Sequence, residues 1–522
     1  MADPRNLIER AIGALSPSWA LERHKARAAM ALTGGYSGGG YHERMSYWQP
    51  GVSDADGSIV RDLRELRARS RDLVRNAPIA AGAIETQVSH VVGTGLSLQS
   101  RVDAEALGLD DAAAAAWQSA VERRFAVWAC SAYCDAAEQQ DFYGLQDLAF
   151  RAHLESGDAF VVLAKKRRRE WPFALALQVI EADRVSNPRF KHDTETMTAG
   201  IERDTGGAAV AVHIADRHPG SHTVGADVVW TRVPMRGASS GRRNVLHLVR
   251  KIRPGQSRGV PCLAPIVQTL KQLDRYSLAE VDAAVNSAAM AVFVKMDPEA
   301  FQDLYDDESR GTLVDSAKRW DGTLKAGAAV NLLPGEDITS PAPGRPNANF
   351  DPFVAAVMRQ IGIGLGIPYE VLTKHFQSSY SAARAALLDA WRTFRIRRAW
   401  LASTLCQPVY EEWLADEVAS GAVDAPGFFA DPMVRAAWCK ATWSGDGPGS
   451  IDPSKEAEAA GKRIEIGLTT LPEEIMANDG GDWQTKHKVQ ARVQAAREAD
   501  KLAEPVVPPP PVVAAPVPGG GA

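Results

Sequence analysis

Three groupings in this sequence have residue types that could do chemistry, and each lacks a part. Gly35-Tyr36-Ser37-Gly38-Gly39 fits the G-x-S-x-G pattern of a hydrolase nucleophile. Such a serine needs a strand before it and a helix after it, so that a strained turn exposes the hydroxyl. Here an amphipathic helix is predicted up to Ala31 and more glycine follows, which predicts a flexible linker with no nucleophile. His213, His218 and His222 straddle Pro219-Gly220 without fixed ligand spacing. Cys130 and Cys134 lie four apart and would make half a zinc site, with no second pair or nearby histidine to complete it. Five cysteines, an odd number with no paired framework, predict small buried or half-buried thiols. No metal and no cofactor are expected. No G-x-x-x-x-G-K-[ST] occurs either, so a chain of this kind that handled nucleic acid would draw its energy from another protein.

Charge narrows the field further. The formal net charge is −5, and a protein that grips DNA through phosphates usually has a strong basic excess. The strongest local charge, Lys165-Lys166-Arg167-Arg168-Arg169, falls between two predicted strands and is expected to be a solvated hairpin loop. At 522 residues several structural parts are expected, with a large core. No run approaches the roughly 20 apolar residues of a membrane span, and the first ten residues lack the apolar core of a signal peptide. A soluble protein without a membrane partner, assembled in the cytoplasm, is the expectation.

The elements that would position any functional surface are mostly helical. Leu263, Ile266, Val267, Leu270, Leu273, Val281, Val285, Ala288, Ala289 and Val292 recur in steps of three and four. They predict a helix of roughly 30 residues, about 45 Å long, with a core side. Its wet side carries Gln268, Lys271, Gln272, Arg275, Asp282 and Asn286. A second helix is predicted from Asp351 as cap and Pro352 in its first turn, with Phe353, Val354, Val357, Ile361 and Leu365 as one stripe. Gly362, Gly364, Gly366 and Pro368 should end it. The polar run Lys374-His375-Phe376-Gln377-Ser378-Ser379-Tyr380-Ser381 then leads to a long helix from about residue 381 to 419. Pro408 is expected to kink that helix and Gly421 to stop it. Its Trp391, Phe394, Arg395, Arg397, Arg398, Trp400 and Trp413 are expected to pack, not to stack on bases.

Upstream, helices are predicted over about 60–90, 111–132 and 143–155. Strands are predicted at 91–98, 159–163, 174–180, 210–214 and 245–249, giving an α+β region. Between the two stripe helices, Val330-Asn331-Leu332-Leu333 is a plausible strand and Pro334-Gly335 a turn. Asp452-Pro453, the capping box Thr470-Leu471-Pro472-Glu473, and Asp482-Trp483 start three C-terminal helices. Their mixed charge argues against a DNA-reading helix–turn–helix. The Pro/Val/Ala/Gly tail cannot bury a core.

Arg258-Gly259-Val260-Pro261, Arg345-Pro346-Asn347, Phe350-Asp351-Pro352-Phe353, Gly366-Ile367-Pro368-Tyr369, Ser379-Tyr380-Ser381-Ala382-Ala383-Arg384 and Cys406-Gln407-Pro408-Val409-Tyr410 occur in that order. Asp452-Pro453-Ser454-Lys455-Glu456-Ala457 and Gly467-Leu468-Thr469-Thr470 follow. The set resembles the portal proteins of tailed bacteriophages, lambda-like branch, from about residue 10 to 500.

The resemblance implies a mainly helical α+β portal fold. Its parts would be an N-terminal helix and Gly-rich arm (1–50), a wing (51–255), a first stem helix (256–293), a clip (294–346) and a second stem helix (347–368). A tunnel loop (369–381), a long kinked helix returning to the wing (382–450), a helical crown (451–503) and a disordered tail (504–522) would complete it. It implies a non-enzymatic homo-oligomeric ring, a dodecamer, at one capsid vertex. Double-stranded DNA would pass through without sequence specificity, which suits the missing basic excess. The large terminase subunit, the major capsid and scaffold proteins and the head–tail connector proteins would be partners. In the tunnel loop Lys374, His375, Gln377, Ser378, Ser379 and Tyr380 would meet DNA, and Lys271, Gln272, Arg275, Asp282 and Asn286 would line the channel wall. The rival expectations are another virion head or neck component without a channel, and a serine hydrolase using Ser37.

Overall fold

The computed structural model describes residues 51–221, 227–289, 293–296, 336–339, 349–376, 379–449, 452–479 and 483–500, with a few isolated positions before 51. The chain divides into two units, Met1–Asp54 and Ala55–Ala522. In the first, Ser18, Trp19, Leu21, Glu22 and Lys25 are helical; Ser37 lies outside the described residues.

The second unit starts with α1 (Ala55–Asn76) and α2 (Pro78–Val91), separated at Ala77 because Pro78 supplies no N–H and sits in the first turn of α2. The run predicted as a strand from Val91 is not one at its start. Val91 ends α2 and Val92 is its cap, both fully buried, and the chain turns through Gly93 (φ 58°) and Gly95 (φ 111°) into β1 (Ser97–Ser100). After a single helical turn at Ala104–Leu107 come two longer helices, α3 (Asp111–Ala129), capped by Asp110, and α4 (Phe142–Ser156), capped by Asp141.

The two larger sheets make most of the β part. β2 (Asp158–Lys165) is flanked by antiparallel β3 (Leu175–Ile180) and β8 (Val245–Val249). The other is an antiparallel meander of β4 (Met197–Thr198), β5 (Ile201–Arg203), β6 (Ala209–Ala215) and β7 (Trp230–Pro234). A small core joins the two sheets, in which Phe160, Ile180 and Val245 of the first meet Ile201, Val212 and Ile214 of the second, with Val185 beside them.

The first stripe helix, α5, runs Val267–Ala289, 23 residues against the roughly 30 predicted. Its N-terminal approach is a loop and a 3-10 turn, because Arg258 and its neighbours are tied down by side-chain hydrogen bonds. β9 (Phe293–Met296) pairs with β10 (Glu336–Thr339), and the predicted strand at 330–333 lies outside the described residues. α6 (Phe350–Leu365) and the short α7 (Tyr369–Thr373) follow. Asp351 is not the cap of α6. Asn349 occupies that position without a side-chain cap bond, and Asp351 lies inside the first turn. The helix ends at Gly366, whose φ of 69° lets its N–H and that of Ile367 turn back to the last carbonyls.

α8 (Tyr380–Leu401), a π-helical turn (Ala402–Cys406) and α9 (Gln407–Ala419) form one unbroken helical run. The backbone disturbance expected at Pro408 is taken up one turn earlier, by the wider π-helical spacing. The run stops at Gly421, φ 74°. α10 (Pro432–Cys439) leads into β11 (Ala441–Ser444), which closes onto β1. The last helices are α11 (Pro453–Glu465), α12 (Leu471–Asp479) and α13 (Trp483–Ala499). Asp452 caps α11, and Glu473 accepts from the Thr470 N–H as the capping box requires. Among the described residues no helix is long and apolar enough to cross a membrane.

One aromatic-rich core joins α2, α3, α4, β2, α6, α8 and α9. Phe125, Trp128, Phe142, Tyr410 and Trp413 are its largest fully buried rings.

Candidate functional site

α5 places its residues on three faces. Leu270 and Leu273 are buried, each 2% exposed, and hold its first half to the core. Lys271, Gln272, Arg275 and Asp282 are exposed, on the predicted wet side; Lys271 is within 3.4 Å of Asp274. Asn286 belongs to α5, but its side chain lies outside the described residues. The apolar stripe does not stay covered: Leu278, Val281 and Val285 are about 60% exposed, at 59%, 59% and 61%. Tyr276 stacks on Phe350 and meets the edge of Phe353, which ties α5 to α6.

The polar loop follows α7. Lys374 caps that helix in the left-handed region, φ 55°, and the His375 N–H donates to the Glu370 carbonyl. Lys374, His375 and Phe376 are exposed. Gln377 and Ser378 lie outside the described residues, as does the Tyr380 side chain. Ser379 is the N-cap of α8, its hydroxyl accepting from the Ala382 N–H at 3.4 Å. Thus the structure sets Lys374 and His375 side by side and assigns Ser379 to capping.

The charge run and the other chemical groupings are placed as follows. Lys165 reaches Asp416, Lys166 and Arg168 share Glu138, and Arg168 lies over the Tyr133 ring at the β2–β3 hairpin. His213 pairs with Glu202 at 2.6 Å, His218 lies 4.0 Å from Asp183, and His222 is outside the described residues. Cys134 is buried and its thiol is pushed up by burial, whereas Cys130 is exposed. On α8 and α9, Trp391, Phe394 and Trp413 are buried, Arg397 donates to the Leu365 carbonyl, and Arg398 donates to the His90 and Val91 carbonyls.

Sequence reasoning missed a buried charge cluster around Asp158. Asp158, at the start of β2, is fully buried. Arg67 Nη2 donates to its Oδ1 over 2.7 Å, and Arg258 Nε donates to Oδ2 over 2.7 Å. His247 Nε2 and the Gly259 N–H also reach Oδ2, each at 3.1 Å. Burial alone would raise the Asp158 carboxyl, but Arg258 and Arg67 overcome it and hold the group well below the usual carboxylate range. Burial lowers Arg67 to about 10 and keeps His247 below its ordinary value despite the nearby carboxylate. Arg258 also donates to the Ala182, Val185 and Ala199 carbonyls, so one guanidinium joins β2, the meander and the root of α5.

This carboxylate is saturated with donors, leaving it no capacity to take a substrate's proton; it organises the fold. A sequence signal existed in Gly157 and Gly259. A Cβ on Gly259 would lie 1.9 Å from the Gly157 carbonyl oxygen, so both backbones need glycine to cross beside Asp158.

With this geometry in place, comparison with known proteins is specific. The family model for phage portal protein, lambda family, matches residues 41–398. The portal protein of Escherichia phage N15 is 28% identical over 487 residues, covering 90% of this chain and 91% of its own. Portal protein B of Escherichia phage lambda is 27% identical over 492 residues, with the same coverage of 90% and 91%. A solved structure described as the neck of a native GTA particle computed with C12 symmetry aligns at 14% identity and a TM-score of 0.46, covering 79% of this chain and 92% of that one.

Proposed function

Because the chain belongs to the lambda family of phage portal proteins, we propose that it forms the ring-shaped channel at one capsid vertex, through which DNA is packaged, retained and ejected. The ring is a homo-oligomer, a dodecamer, closed by cyclic symmetry. It is a passive, non-enzymatic conduit: the large terminase subunit supplies the work of packaging, and head–tail connector proteins dock once the head is full. The major capsid and scaffold proteins hold it at the vertex, and assembly takes place in the host bacterial cytoplasm.

The observation that carries this reading is α5, with an exposed polar face beside Leu278, Val281 and Val285, an apolar stripe that stays more than half exposed among the described residues. In a ring, Lys271, Gln272, Arg275, Asp282 and Asn286 face the channel while Leu278, Val281 and Val285 meet the neighbouring subunit. Lys374, His375, Gln377, Ser378, Ser379 and Tyr380 form the tunnel loop, where the two cations make transient phosphate contacts. Stronger binding would trap a duplex that must slide in both directions.

Light scattering of the purified protein, with negative-stain images of the same peak, tests the proposal. Discrete rings with a hole wide enough for a duplex, roughly 20 Å across, are expected. A chain that stays monomeric in the presence of scaffold and capsid proteins would overturn it.

A further inference from the structure

The three C-terminal helices leave apolar side chains uncovered on two different surfaces. From His487 to Ala499, about three turns of α13, every residue is exposed except the half-buried Arg497. Only the root of the helix is held, where Trp483, Gln484 and Lys486 are half-buried. Val489 and Val493 lie one turn apart on the bare stretch, 48% and 52% exposed, and the exposed Ala496 continues their stripe at helical spacing. A helical stretch this short gains little from its own hydrogen bonds in water, so an apolar stripe on it calls for a packing partner.

The second surface is the turn between α11 and α12. Ile466 and Leu468 are 69% and 72% exposed there, and Leu471, which opens α12, is 51% exposed. Both surfaces are open at once, so they do not cover each other within one protomer. Their charges are opposite. α13 carries Lys486, Lys488, Arg492 and Arg497 against Glu498 alone. The cations of the turn are already paired inside the protomer, Lys462 with Glu458 at 2.8 Å and Arg463 with Glu474 at 2.7 Å. That leaves the exposed carboxylates Glu465 and Glu473 as its outward charge.

We propose that the two surfaces meet between copies of this chain: the valine stripe of α13 in one protomer packs on Ile466, Leu468 and Leu471 of the next, with Lys488 and Arg492 beside Glu465 and Glu473. Two different patches that fit each other make a head-to-tail contact, which closes into a ring when repeated by rotation. An α13–α13 contact would instead set basic faces against each other. The inference rests on the ring reading and adds to it a second set of subunit contacts, made by helices other than α5.

Cross-linking in the full-length chain tests this. In a Cys130→Ser background, which removes the exposed thiol, a chain carrying both Val493→Cys and Leu468→Cys is purified as rings and treated with a short bis-maleimide. A head-to-tail contact links each chain to two neighbours, so denaturing gels should show a ladder extending beyond the dimer, while each single-cysteine chain should run as a monomer. Rings that yield no ladder overturn the contact and leave the ring reading standing. A wild-type protein that forms no rings in the presence of scaffold and capsid proteins overturns both. Dimers from Val493→Cys alone would show α13 pairing with itself and overturn the assignment. Lys488→Glu with Arg492→Glu changes two exposed positions, so the protomer should keep its thermal midpoint while assembly weakens about tenfold. Assembly at the wild-type concentration would overturn the charge pairing.

Discussion

Arg258 donates to Asp158 across 100 residues of sequence, Nε to Oδ2 at 2.7 Å, and neither side chain is more than 1% exposed. The pair stands where the meander, the central strand and the root of α5 converge. Its hydrogen bonds tie the three together.

Arg258→Met should therefore cost about 3–5 kcal/mol, because it leaves a buried carboxylate short of a cation and three carbonyls without a donor. Urea denaturation followed by circular dichroism measures this. The double variant with Asp158→Asn should lose less than the sum of the two single losses, since the second change removes the charge that the first left exposed to a low dielectric. Additive losses would show that the two residues stabilise the fold independently.

The buried histidines set a pH dependence. His153 is lowered to about 4 and His247 is also lowered, both by burial first. Below an ordinary value of about 6.5 the unfolded chain takes up protons that the folded chain refuses. Stability therefore falls as pH drops from about 6.5 toward 4, by about 1.4 kcal/mol per pH unit for each fully uncharged histidine. The Asp158 carboxyl, held low, contributes stability that is lost only at still lower pH, as its folded-state pKa is crossed. Denaturation midpoints at pH 7, 6 and 5 should fall progressively, and His153→Gln should flatten that slope by about one proton.

The bare stripe on α5 predicts an assembly phenotype. Val281→Asp with Val285→Asp adds charge to positions that are exposed in the protomer, so the monomer should keep its thermal midpoint. Burying those carboxylates in a subunit contact is unfavourable, and assembly should weaken at least about tenfold. Light scattering over a concentration series reads the shift from rings to protomers. Rings of undiminished stability would place the subunit contact elsewhere.

Much of this architecture was legible from residue spacing alone. Gly366 and Gly421 end their helices, and Asp452 and Thr470 start theirs, because each acts on the backbone within a turn of itself, whereas the stretch predicted as helical over about 60–90 divides at Pro78 into α1 and α2. Reading failed where distant partners decide. β11 is a strand because Ser444 and its neighbours pair with β1, some 340 residues earlier, and β4 and β5 are too short to show a period. The apolar stripe of α5 has one helical period throughout, yet its first half is buried in the protomer and its second is not. Periodicity shows that a face needs a partner, but not which chain provides it. Asp158 was invisible for a similar reason: its partners Arg67, His247 and Arg258 come from segments about 90 to 100 residues away. In the proposed tunnel loop, Lys374 and His375 are exposed neighbours.

The loop has a test that separates charge from backbone. Lys374 is a non-glycine residue at φ 55°, a conformation costing roughly 1 kcal/mol that glycine would relieve. Lys374→Gly should therefore raise the stability of the protomer slightly while removing a cation from the proposed channel. Lys374→Glu with His375→Glu keeps the backbone constraint and reverses the charge. If the pair contacts DNA phosphates, both variants should form normal rings and yield several-fold fewer DNA-filled heads in a packaging assay, with the glutamate variant worse. If Lys374 serves only to end α7, the glycine variant should package as well as wild type, and the double glutamate variant should show no defect beyond a small loss of stability.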